Sequence, residues 1–159
     1  MKALQSLTEL FTQSITEAKS VELWAEDGQI DCTQGLTVDG FDIAYTVNIN
    51  MSNVDVQPEI LMMHLVIWLN QYDVARESKG LAPPSFATER LDNGHFDLKL
   101  KIEIKEAYSL EESATGVWKQ GDTRLDCVSD FAIAVIEDEL PLLEFMGSAE
   151  DLPECTQCN

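Results

Sequence analysis

Between Ile60 and Leu69 the chain places ten residues of which only His64 is polar, two positions after a proline at Pro58. Spanning a bilayer takes about 20 apolar residues, so this run is too short. A half-exposed helix shows a polar face on every turn, and this run does not. It must therefore be covered on nearly all sides, by the chain's own sheet or by another subunit. That requirement points to a small domain built to pack against something.

At 159 residues the chain is long enough for one domain with one core. Its 45% apolar and 25% charged residues are ordinary globular values. The charge balance is not ordinary: 29 acidic against 10 basic residues give a formal charge of −19. From Ser20 to Ala75 there are nine acids and no Lys or Arg, and after Arg124 nine more acids and again no base. Such a field repels nucleic-acid backbones and anionic membranes, which excludes nonspecific DNA binding. Met1 to Ala18 lacks the apolar core of a signal peptide, being broken by Gln5, Ser6, Thr8 and Glu9. Four cysteines in a chain of this length make no disulfide framework, so a cytoplasmic protein with reduced thiols is expected.

Residues 1–19 read as an amphipathic helix, with Leu4, Leu7, Leu10, Phe11, Ile15 and Ala18 inward. Val21 to Cys32 reads as two short strands around an Asp27-Gly28 turn. Ile43 to Met51 alternates without error, a strand with Tyr45, Val47 and Ile49 on one face. A helix starts at Pro58 and runs to about Tyr72. Lys79 to Ser85 is a loop, and a second hairpin turns at Asn93-Gly94, with Arg90 opposite Asp97 and Leu91 opposite Phe96. Ala107 to Gly121 reads as a long loop or protruding arm, and Leu125 to Val135 as a further strand. The expected fold is α+β, a mostly antiparallel sheet with two helices packed on one face. Residues 1–136 form the domain, and 137–159 an acidic, flexible C-terminal tail.

Chemistry is sparse. Cys155-x-x-Cys158 has ligand or redox spacing, but a structural zinc site needs four ligands and no second pair exists. A thioredoxin-type motif opens a helix after a strand, whereas this one stands beside Asn159. His64 reads as a hydrogen-bonded interior histidine, and His95 as a residue on the wet side of its strand. Phosphate loops and nucleophile elbows are absent from the sequence. No catalytic residue, metal ligand or cofactor is therefore expected. What remains is contact surface: Met63, Ile67 and Trp68 on the apolar helix; Tyr108, Val117 and Trp118 on the arm; Leu142 and Phe145 in the tail.

Three stretches together resemble the tail completion protein R (GpR) family of contractile-tailed temperate phages. They are Leu23 to Ile30 around Asp27-Gly28; Tyr45, Val47 and Ile49 followed by Val66-Ile67-Trp68-Leu69, Gln71 and Asp73; and Phe96-Asp97-Leu98. The likeness covers residues 1–125 and stops near Arg124, where the acidic tail replaces the family's proline-rich ending. It implies a tail-terminator-like fold and a late, non-enzymatic virion assembly protein at the head-proximal end of the tail. By analogy with tail terminators it implies a homo-oligomeric ring of six subunits, meeting the tail tube and the head–tail connector. Such a protein works in the host cytoplasm and then in the virion tail, touching DNA only as the lining of a conduit. The reading from another class is an acidic DNA mimic that occupies a basic nucleic-acid-binding protein.

Overall fold

The computed structural model describes residues 1–13, 20–32 and 39–132. Its two longest strands grow from the two alternating stretches. Strand β2 (Gly40–Val54) pairs antiparallel with β4 (Phe96–Glu112), Gly40 opposite Ser109 and Met51 opposite Leu98. Because side chains alternate across a strand, Tyr45, Val47, Ile49 and Met51 share one face with Leu98, Leu100, Ile102 and Ile104. All eight are buried. Strand β1 (Val21–Asp31) flanks β2 on the outside. Along the other edge of β4, β3 (Ser85–Arg90) pairs with its first half and β6 (Thr123–Ser129) with its last residues, and β5 (Trp118–Gln120) lies beyond β6. Every pairing is antiparallel, and the class is α+β.

Two helices supply the other half of the core. Helix α1 (Lys2–Gln13) buries Ala3, Leu7 and Phe11, and α2 (Pro58–Tyr72) buries Leu61, His64, Leu65 and Trp68. The proline sits in the first turn of α2, where its missing N–H costs nothing. The helices meet where Trp68 Nε1 donates to Ser6 Oγ at 3.0 Å. Phe131, in a single 3-10 turn after β6, stacks on Trp68 and Tyr72 at 5.8 and 5.6 Å. His64 donates from Nδ1 to the Ile60 carbonyl at 2.8 Å, as an interior histidine on an apolar helix should.

Four local expectations need correction, the first being the strand over Leu125–Val135: β6 ends at Ser129, where the 3-10 turn Asp130–Ala132 begins, and the residues from 133 on lie outside the described ones. Asp27-Gly28 does not turn a hairpin; it is a bulge inside one eleven-residue strand, with Asp27 at φ 55° and the register shifting between Glu26 and Gln29. The Asn93-Gly94 hairpin pairs Arg90 with Phe96, one residue off the expected register. Leu91 stays out of the ladder and donates its N–H to the His95 carbonyl, so the loop is longer than two residues. Finally, the segment after Glu106 is no arm at first: β4 continues through Tyr108 and Leu110 to Glu112.

That continuation places Glu106 on the inward face, where it is 2% exposed. Among the described residues no cation pairs with it. Its carboxylate instead accepts from the backbone N–H of Lys2 (2.9 Å) and Ala3 (3.1 Å), from the Tyr45 hydroxyl, and from the Tyr108 hydroxyl (2.9 Å). The first two are orphan donors of α1, at the end where the helix dipole favours an anion. Burial pushes the Glu106 pKa up, but these donors outweigh it and hold the carboxyl below its ordinary value. Burial and the same carboxylate push Tyr108 up to about 12, and Tyr45 rises too. Because all four close partners donate, an amide at this position would set N–H against N–H. Glu106→Gln should therefore cost about 3 kcal/mol in urea unfolding at pH 7. A lowered folded-state pKa gives stability that is present above the unfolded value of about 4.3 and lost as pH falls below it. The gap between wild type and Glu106→Gln should thus narrow below about pH 4; a constant gap would mean that the carboxylate is not the stabilising form.

Candidate functional site

The described residues offer several surfaces for contact. Among the described residues no group of three His, Cys, Asp or Glu could hold a metal ion, and none of their helices is long and apolar enough to cross a membrane. A cleft of about 540 Å³ lies between the end of α2 and β4, lined by Asp42, Tyr72, Asp73, Lys79, Lys105 and Glu106 among others. Its charges are largely used internally. Lys105 Nζ meets Asp42 at 2.9 Å, and Asp73 receives Arg76 at 2.8 Å and Lys79 at 2.9 Å. Arg76 also donates to the carbonyls of Glu103 and Ala82, pinning the turn after α2 to the stretch of β4 between β3 and β6. This cleft is a structural lock.

Helix α2 cannot hide its apolar composition. Its outward side presents Glu59, Met63, Val66 and Asn70 exposed, with Met62 and Ile67 half-buried. Met63 is 51% and Val66 45% exposed, adjacent at helical spacing. The expected all-round cover is therefore absent within the described subunit. Of the residues marked for contact, Met63 lies on this face, Ile67 at its border, and Trp68 on the opposite, buried face.

A second apolar surface follows from a mismatch of lengths. The 17 residues of β4 reach about 55 Å, whereas the 15 residues of α2 reach only about 22 Å. The helices cannot cover the whole inward face. At its uncovered end Phe41 stacks on Tyr108, with ring centroids 5.0 Å apart and planes within 6°. A Cβ at Gly40 would stand 2.1 Å from the Tyr108 carbonyl oxygen, so only glycine lets the strands close here. Past this stack a groove of about 560 Å³ is lined by Phe41, Leu110, Trp118, Leu125 and Cys127, with Lys119 and Gln120. Gly116, whose Cβ would meet the Leu125 backbone at 2.6 Å, brings the β4–β5 loop down on β6. Trp118 is 60% and Val117 81% exposed. Tyr108 is held in the sheet and bound to Glu106, while Leu142 and Phe145 lie outside the described residues.

The opposite face of the sheet is polar and carries Lys99, Lys101 and Lys105 along β4, with Lys101 3.6 Å from Glu26. Among the described residues the outer edges of β1, β3 and β5 lack a strand partner. The sequence reading missed Glu106, although the parity of Ile102, Ile104, Glu106 and Tyr108 already put this acid inward. Trp68→Ala should destabilise the subunit by about 3–5 kcal/mol, whereas Val117→Asp should shift it by less than about 0.5 kcal/mol. Urea midpoints at constant slope check both.

The family model for the P2 phage tail completion protein R (GpR) matches residues 1–126. No curated protein and no solved structure matches the chain.

Proposed function

We propose, from the premise that this chain belongs to the P2 phage tail completion protein R family, that it ends tube growth at the head-proximal end of a phage tail and prepares that end for head joining. The family gives the coarser statement: a structural protein of phage tail completion, acting in the virion tail. The finer reading is a non-enzymatic ring, of six subunits by analogy with tail terminators, seated between tail tube and head–tail connector. The protein would be made late, act in the host cytoplasm and remain in the tail.

The observation that carries this reading is the exposed apolar face of α2, Met63 and Val66 with Met62 and Ile67, which stands beside other exposed apolar side chains such as Ile30, Phe86, Val117 and Trp118. A ring needs a heterologous contact, two different patches that meet head to tail. The free edges, β1 on one side of the sheet and β3 and β5 on the other, supply such a pair. A charge of −19 suits a conduit through which DNA slides without sticking. The DNA-mimic reading gains nothing from the fold: a mimic needs unbroken rows of carboxylates, and the polar face is crossed by Lys99, Lys101 and Lys105.

Light scattering across a concentration series should give six times the 17.8 kDa chain mass. Met63→Asp with Val66→Asp should reduce this to one chain without changing the circular dichroism. In cells producing a phage that lacks the protein, heads and tails should accumulate unjoined, restored by wild type but not by the double variant. Normal particles formed without the protein would end the tail-completion reading.

A further inference from the structure

We propose, resting on the ring proposed for this chain, that neighbouring subunits join by continuing the sheet: β1 of one copy adds antiparallel to β3 of the next, with Leu23 opposite Phe86 and Glu22 opposite Ala87. Strand direction selects these two edges. Along the path β1, β2, β4, β3 every pairing is antiparallel, so three reversals leave β3 running opposite to β1. A second copy set beside the first in the same orientation therefore lays its β1 antiparallel to β3, as at every other junction of the sheet. The other free edge, β5, runs in the direction of β1 and spans only Trp118–Gln120, so it would need a parallel junction of three residues.

Register follows from symmetry. Copies in a closed ring are related by rotation without translation along its axis. With the strands set along that axis, each row of the sheet continues at the same height into the next copy. Leu23, Ile49, Leu100 and Phe86 form one row, and Glu22, Asn50, Lys99 and Ala87 the adjacent one. Phe86 shares the helix-side face with buried Leu100 and is itself 61% exposed, and here it meets half-buried Leu23 of the neighbouring copy. Helix α1 packs on β1, so the neighbour's α1 arrives beside β3, all of whose residues are exposed. On the polar face the charges are complementary. There β1 carries Glu22 and Glu26 and no base, whereas Lys99 and Lys101 stand directly behind Ala87 and Ser85, side chains too small to block them. Lys101 already reaches across β2 to Glu26 of its own subunit at 3.6 Å. Lys99 makes no ion pair among the described residues and has the same reach across β3 to Glu22 of the neighbour. Glu89 falls opposite Ser20 rather than an acid. Neither edge is blunted where it pairs: Ser85–Arg90 contains no proline and no bulge, and the Asp27 bulge of β1 lies beyond Trp24, the partner of Ser85.

The test is disulfide trapping in the full-length chain with Cys32, Cys127, Cys155 and Cys158 replaced by Ser. Within one subunit Glu22 and Ala87 lie three strand spacings apart, about 14 Å, which no disulfide spans. Chains carrying Glu22→Cys alone or Ala87→Cys alone should stay unlinked on oxidation. The two co-produced should give a covalent pair, and a chain carrying both substitutions a ladder reaching six. Phe86→Asp, at an exposed position, should raise the concentration of half-assembly at least about ten-fold with circular dichroism unchanged. Absence of the covalent pair in particles that keep six times the chain mass would overturn the edge contact and leave the ring standing. A link formed by Glu22→Cys chains alone would overturn it too, assigning β1 to a two-fold contact with its own copy. A one-chain mass for the unsubstituted protein at every concentration would remove the self-assembled ring and this contact together.

Discussion

A single buried carboxylate holds four elements of this molecule in register. Glu106 stands on β4, takes two backbone N–H groups from the start of α1, a phenol from β2, and a second phenol from its own strand; Ser129 of β6 lies 3.5 Å away. A buried charge is tolerated only when its lone pairs are filled, and here donors and a helix dipole fill them without a countercharge among the described residues. Because the first turn of α1 is tied to this point, Ala3, Leu7 and Phe11 are aimed down one line of the sheet. Trp68 then reaches Ser6 and draws α2 alongside. Phe131 closes the layer by stacking on Trp68 and Tyr72.

Fixing the helices at Glu106 also decides what stays uncovered. The sheet runs past the carboxylate through Tyr108 and Leu110, but among the described residues no α-helix follows it. The inward parity still dictates apolar side chains, so the same alternation that builds the core builds an exposed groove beyond it. On α2 the cause differs. A helix with Leu, Met, Ile, Val and Trp on all sides can turn only one face to a sheet, and Met63 and Val66 are what remains. Two apolar surfaces thus arise from two independent geometric limits, strand length and helix circumference.

Much of this was legible in the residues. Strict alternation in Ile43–Met51 and from Phe96 onward fixed β2, β4 and their shared face, because period two has no helical reading. Turn residues were less reliable. Asp27-Gly28 permits a tight turn, but it equally permits a bulge, and pairing of β1 with the long β2 selected the bulge. Asn93-Gly94 marked the loop correctly while the register slid by one, since Phe96 pairs with Arg90 and leaves Leu91 out of the ladder. The stretch after Glu106 read as an arm because Ser, Thr and Glu dilute its pattern. Only the long-range partners of Glu106, Lys2 and Tyr45 among them, show why an acid belongs inside the strand. Local spacing cannot announce donors that lie sixty or a hundred residues away.

Charge placement completes the physical picture. The chain is strongly acidic, yet three of its ten basic residues stand on the polar face of β4. Two of them have acidic partners: Lys101 reaches across β2 to Glu26 on β1, and Lys105 meets Asp42 on the neighbouring β2. Exposed pairs of this kind add little stability, but like charges directly across a sheet would subtract it. With Glu22, Glu26 and Asp42 on β1 and β2, an acidic residue in the place of each β4 lysine would leave that face with repulsion and no relief. The lysines therefore offset part of the acidity of this face, which Asp97 and Glu103 of β4 share, while further negative charge lies in the edges, loops and C-terminal residues. An apolar surface on such a molecule can meet its complement without inviting indiscriminate association, because every wrong approach brings two acidic bodies together.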